Sequence, residues 1–265
     1  MKVFGTNRYL IVLLVTLFNV IAELSLRGVF EAFRSPLLIP WIFLNYFLYF
    51  LLMEDLIGRY KLNDLTAYVA AIFFGVTWML IGPSIVFIPP LVAGINWIGF
   101  IFVNVVWWGL LQTIIPFYLA NRIIFRDSEG PLFSNSMQKK IFIAFGIVTL
   151  LFRLGAITFP LPNILAIVII LPILYGLYKL FHKLVSQAPT ISVPHVQNIF
   201  LDILSIAILF YLVYSIIFIA ADKTDYIVAA QLNRHALRTN LVVTAVFFVI
   251  FWIYRLIFLK KSIKI

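Results

Sequence analysis

The chain contains no cysteine. Disulfides, thiolate nucleophiles and Cys-ligated zinc or iron–sulfur centres are therefore excluded. Nothing follows about compartment, because a chain embedded in lipid has no need of disulfide staples. Charge is scarce as well: Asp, Glu, Lys and Arg together make up 11% of the 265 residues, with 10 acidic side chains against 20 basic ones. Glycine-rich phosphate loops, serine–histidine–acid sets and histidine pairs at metal-ligand spacing are all missing. No cofactor or metal is expected, and no catalytic residue is assigned.

Apolar sequence fills the space. Hydrophobic types account for 64% of the residues and the mean hydropathy is +1.09, a level at which a soluble fold has too little polar surface to hide the rest. Eight runs, at 9–27, 36–54, 65–82, 96–121, 141–159, 163–181, 198–221 and 240–259, are each long enough to cross a bilayer, since about 20 helical residues span roughly 30 Å of hydrocarbon. Lipid-exposed backbone must satisfy itself internally, and these runs are about twice the length of a barrel strand. The expected fold is all-α: a polytopic integral membrane helix bundle of about eight transmembrane helices in the cell membrane, residues 1–265 forming a single transmembrane domain. The first run follows Lys2 and Arg8 as a secretory signal would, yet seven further spans follow it, so it is read as an uncleaved first helix.

Orientation follows from the basic residues. With the N-terminus inside, fourteen Lys and Arg fall in inner segments and five (Arg27, Arg34, Lys223, Arg234 and Arg238) in outer ones, with Arg153 inside a span. That bias predicts cytoplasmic termini, and it places Trp41, Trp78 and Trp97 near the outer interface where indoles prefer to sit. The net charge of +10 is explained by this topology and by anionic headgroups, so membrane lipids are the expected partners and nucleic acid is not. Pro116 and Pro172 lie inside spans, where each frees a carbonyl one turn earlier, that of Gln112 and of Val168. The uncharged connection from Gly82 to Pro90 is long enough to turn back into the protein. No repeat relates the two halves.

Several polar patterns interrupt the apolar spans. Thr16, Asn19, Glu23, Arg27, Glu31 and Arg34 recur every three or four residues, a single stripe if the first helix persists through Gly28. Such a stripe faces protein or water, because a carboxylate turned to lipid costs several kcal/mol. Alternatively, Glu23 and Arg27 mark the outer helix end and snorkel. Arg153 sits at a similar inferred depth, so an ion pair with Glu23 is expected. In the connection 222–239, Gln231, Arg234, His235 and Arg238 recur at helical spacing opposite Val228, Leu232 and Ala236. This predicts an amphipathic interfacial helix that either anchors to headgroups or collects an anionic group, with His235 able to move a proton. Asn104, Trp108 and Gln112 form a smaller stripe, as do Asn198, Asp202 and Ser205.

On the inner side, Glu54-Asp55-Leu-Ile-Gly-Arg59 resembles the acidic-pair, three-residue gap, Arg motif of the CAAX-protease and bacteriocin-processing membrane family. The match covers six residues. That family also needs downstream histidines in helical motifs to position its water, and His182, His195 and His235 lack those contexts, so no catalytic roles are carried over. The candidate binding cleft is therefore Glu23, Arg27, Arg153, Arg234, His235 and Arg238. Three function classes remain: a transporter or permease for a small or amphiphilic, anionic solute; an enzyme acting on a lipid-linked substrate at the outer leaflet; or an assembly subunit that meets partner membrane subunits.

Overall fold

The computed structural model of the chain describes residues 6–34, 37–126, 130–155, 159–187, 198–221, 226–227 and 232–259. Its helices are α1 (Thr6–Arg27), a short α2 (Val29–Arg34), α3 (Leu38–Tyr60), α4 (Asp64–Ile81), α5 (Trp97–Ile123), α6 (Asn135–Gly155), α7 (Ile164–Gln187), α8 (Ile199–Ile219) and α9 (Arg234–Tyr254), which runs on as a π turn over Arg255–Leu259. Seven of these are long and apolar enough to cross a membrane. The eighth, α6, has 21 residues but is diluted by Lys139, Lys140 and Arg153. Among the described residues there are also a 3-10 turn at Ile85–Phe87, a bridge between Val92 and Ile95, and a two-residue antiparallel pair, Tyr226–Ile227 against Leu232–Asn233.

The long helices alternate in direction, and end-to-end contacts show it. The start of α1 meets the end of α3 through Arg8 and Glu54. The start of α4 meets the end of α9 through Asp64 and Arg255, and Asn135 at the start of α6 bonds Arg59. We call this the Arg8 end; the opposite one is the Glu23 end. Packing is uneven. At least half of the apolar stretch of α1, α3, α4 and α5 is buried, against 28% or less in α7, α8 and α9, so the first four spans form the core and the last three present most of their surface outward.

Local chemistry sets the boundaries. Asn63, Asn96, Asn198 and Asn233 each precede a helix, and each side-chain oxygen accepts a backbone N–H of the first turn, satisfying donors the helix itself leaves free. Gly28, at φ 78°, breaks the first helix: a Cβ there would overlap the carbonyl oxygen of Ala220. The predicted stripe therefore stops at Arg27, and the Glu31 and Arg34 side chains lie outside the described residues. The second span is longer than expected, which keeps Glu54, Asp55 and Arg59 inside a helix. The predicted amphipathic helix over 222–239 is not what its described residues form. Tyr226 and Ile227 pair as a hairpin with Leu232 and Asn233, and the helix starts only at Arg234. The connection after Gly82 does turn inward, with Ser84, Val86, Phe87 and Ile95 buried against α4 and α7.

The fifth helix departs most from regular winding. Phe102–Ile114 is a 13-residue π-helix, followed by Pro116 in the first turn of the α-helical segment Ile115–Ile123. Ile115 still bonds back five residues to the Leu110 carbonyl, and where the winding returns to α at Pro116, which has no N–H to give, the Gln112 carbonyl needs another donor. Asn19 of α1 supplies it, Nδ2 to O at 3.0 Å.

Candidate functional site

The cavity at the Glu23 end grows out of that repair. Asn19 draws α1 against the π segment of α5, and one turn further along α1 comes Glu23. Its Oε1 accepts the Tyr46 hydroxyl at 2.6 Å and the Gln112 Nε2 at 3.2 Å, while its Oε2 accepts Arg27 Nη2 at 3.2 Å. Gln112 also donates to the Tyr46 oxygen. Four side chains from three helices thus converge, beside a cavity of about 80 Å³ whose wall includes Glu23, Arg27, Tyr46, Trp78, Trp107 and Trp108. That volume holds a few waters or a small solute, since one water needs roughly 10–15 Å³ by the same measure.

Aromatic rings close the inner side of the cavity. Trp108 packs on Tyr46, Trp78 and Tyr49 with centroids 6.1, 5.6 and 4.8 Å apart, and Tyr49 continues into Phe50 and Phe74. Tyr49 and Phe50 are fully buried. The polar path therefore runs from the Glu23 end to Gln112 and Thr113 and then meets packed rings. Thr113, which bonds the Tyr49 hydroxyl at 2.9 Å and the Trp108 carbonyl five residues back, is the deepest polar group on it.

The ion pair expected between Glu23 and Arg153 is not formed. Arg153 is 8% exposed, and its Nη2 donates to the Phe159 carbonyl at 2.9 Å while its Nη1 is buried without a hydrogen-bond partner. Phe159 is itself part of the cavity wall, so Arg153 is linked to the cavity through the carbonyl of that residue. The reason is packing: α6 lies on α3 rather than on α1, and Tyr46 and Gln112 reach Glu23 first. Arg234, His235 and Arg238 occupy the exposed first turns of α9 at the same end, and the neighbour that reaches the cavity wall from that turn is Leu237. Of the six cleft residues read from the sequence, Glu23 and Arg27 line the cavity, Arg153 bonds the carbonyl of a lining residue, and the remaining three flank the lining residue Leu237.

The Arg8 end is organised differently, and sequence reasoning missed most of it. Glu54 is wholly buried between Arg8 (2.7 Å) and Arg126 (2.8 Å). Arg8 also donates to the carbonyls of Glu54 and Gly130. Asp55, equally buried, takes Arg59 at 2.9 Å and the backbone N–H groups of Leu132 and Phe133. The acids of the motif that resembles the CAAX-protease family thus fasten the connection between α5 and α6. Among the described residues no histidine bonds to either, and His195 lies outside them. Asp202, from the stripe with Asn198 and Ser205, is held by Arg122 and Tyr118. A second unforeseen hub, Ser25, Ser215 and Asn240, ties α8 and α9 to α1 through hydrogen bonds of 2.9 and 3.0 Å to the Ser25 carbonyl. No three His, Asp or Glu side chains among the described residues come together as a metal site would require.

Comparison with protein-family models, with curated proteins and with solved structures returns no match for the chain.

Proposed function

We propose that this chain is a permease-like protein of the cell membrane, with both termini cytoplasmic, which admits a small anionic solute to the cavity at the Glu23 end from the outer face. The observation that carries the reading is Arg153, a buried guanidinium whose Nη1 has no partner among the described residues and which holds the carbonyl of Phe159, a wall residue of the cavity that Glu23 and Arg27 also line. Those three side chains carry one net positive charge, and a buried charge without a full set of partners is costly. A carboxylate- or phosphate-sized anion offsets it. The π segment and Pro116 give α5 a deformable stretch behind the cavity, and π turns recur at functional sites. The ring layer beneath is the barrier that a transport cycle must open.

Trp78, Trp107 and Trp108 make binding visible as a change in intrinsic fluorescence. Acetate or phosphate should give a saturable change that Arg153→Gln abolishes while the helical content stays constant. The same response to tetramethylammonium, or an unaltered response in Arg153→Gln, overturns the anion site. Flux of the bound anion into proteoliposomes tests transport separately. Binding without flux removes the permease reading and favours an outer-leaflet enzyme, to which the closed ring layer is no obstacle. For orientation, Ser134→Cys should be shielded from an impermeant thiol reagent in intact cells and Val92→Cys labelled; the reverse pattern inverts the topology.

A further inference from the structure

A second site lies at the other end of the bundle. α6 turns Ile141, Phe145, Thr149 and Arg153 toward its neighbours, four residues apart and all buried, while Phe142 and Ile143 beside that stripe are 52% and 59% exposed. Two side-chain hydrogen bonds pin α6 to α3 at different levels: Arg59 to Asn135 at 2.6 Å near the Arg8 end, and Asn45 to Thr149 at 3.1 Å deeper in. Between the pins Phe145 packs on Tyr49 and Phe74, with centroids 6.2 and 6.4 Å apart, and the gap lies beside that contact. A groove of about 420 Å³ remains, walled by Leu52 and Leu56 of α3, Phe74 of α4, and Phe142 and Ile143 of α6, with Gln138 and Lys139 as its polar residues.

The groove lies within the depth of one lipid leaflet. At 1.5 Å per residue, its wall runs from Leu56, about 6 Å from the end of α3, to Phe74, about 15 Å from the start of α4, a length of roughly 10 Å that stops at half of the roughly 30 Å hydrocarbon thickness. The polar residues, on the first turns of α6, fall at the shallow end. Lys139 and the adjacent Lys140 are exposed there, and neither makes an ion pair with a described residue. A slot apolar along its depth and cationic at its mouth is complementary to an acyl chain that ends in an anionic headgroup.

We infer that this groove binds one acyl chain of an anionic glycerophospholipid from the leaflet at the Arg8 end, with the phosphate against Lys139. The inference rests on the chain being embedded in a bilayer, but not on solute binding or transport at the opposite end. Native mass spectrometry of protein purified with equal phosphatidylglycerol and phosphatidylcholine of the same chain length tests it. The wild type should retain phosphatidylglycerol over phosphatidylcholine by about fivefold per lysine engaged, the factor expected for a basic residue near the lipid surface. Lys139→Gln with Lys140→Gln should erase that preference, and Leu56→Trp, which fills the groove, should lower retention of both lipids. Ile143→Trp fills it from the exposed face of α6 and serves if Leu56→Trp does not fold. A photoreactive acyl chain should crosslink to the segment around Phe142 and Ile143. Equal retention of the two lipids by the wild type, undiminished retention in both tryptophan variants, or crosslinking confined to α8 and α9 overturns the site.

Discussion

The two ends of this bundle use the same side chains to opposite effect. At the Arg8 end, Glu54, Asp55, Asp64 and Asp202 are each matched by at least one guanidinium, and Glu54 and Asp55 are sealed from solvent. At the Glu23 end, the carboxylate is 14% exposed and paired to Arg27 at 3.2 Å, beside a cavity, with a guanidinium nitrogen of Arg153 left without a partner. A buried charge with every partner supplied by the protein is locked: removing one partner leaves another charge stranded in low dielectric. A pair at a cavity wall, with polar neighbours able to share its load, can exchange partners. The first arrangement fastens connections; the second can admit a ligand.

The largest expected effect tests that difference directly. Glu54→Gln strands Arg8 and Arg126 and should destabilise the protein by about 3–5 kcal/mol, the usual cost of breaking a buried pair. Glu23→Gln keeps one side-chain oxygen for Tyr46 and Gln112 and turns its NH2 toward Arg27, which the cavity can hydrate, so it should cost less, about 1.5–3 kcal/mol, the worth of a hydrogen bond to a charged group. Thermal unfolding in one detergent compares the two. Equal losses would show that both ends are structural locks, and the anion site would lose its physical basis.

An intermediate effect sharpens the account of the cavity. Asn19→Leu leaves the Gln112 carbonyl, freed by Pro116, without its donor, at a cost of about 1–3 kcal/mol for a buried unpaired acceptor. Because that bond also holds α1 against the π segment, the anion-dependent fluorescence change should weaken even at temperatures where the variant is fully folded. A variant that loses stability and keeps wild-type binding would separate Asn19 from the site.

How much of this was legible in the sequence depends on distance along the chain. The spans were, because hydropathy is local. So was the free carbonyl at Gln112, because Pro116 lies four residues away. Its repair by Asn19, 93 residues distant, was not, and neither was the Arg8–Glu54–Arg126 network: its members lie in three separate segments, so in the sequence the two arginines read as topology-setting charge and Glu54 as part of a local motif. The hairpin after α8 is hidden for a different reason. Arg234, His235 and Arg238 do sit on a helix, so their periodicity is genuine, but Asn233 caps its start by accepting the Ala236 N–H at 2.8 Å, and the helical spacing of the residues before that cap does not correspond to a helix. An Asn immediately before a periodic run was the available signal.

The smallest expected effect concerns those peripheral residues. Arg234 and Arg238 lie in the first turns of α9, where the helix dipole disfavours a cation by about 0.3–1 kcal/mol, and both are exposed. Replacing both by glutamine should therefore change stability by about 1 kcal/mol or less, because the dipole effect falls off beyond the first turn. If the cavity takes an anion as proposed, two cations at its periphery act through their field, which raises the encounter rate and is screened by salt. The double variant should slow association of the anion at low ionic strength, leave its dissociation unchanged, and match the wild type once salt is raised. Stopped-flow fluorescence resolves the two rates. A change in dissociation instead would mean that these arginines touch the bound anion, and the site would extend from the Arg153 side of the cavity out to the first turn of α9.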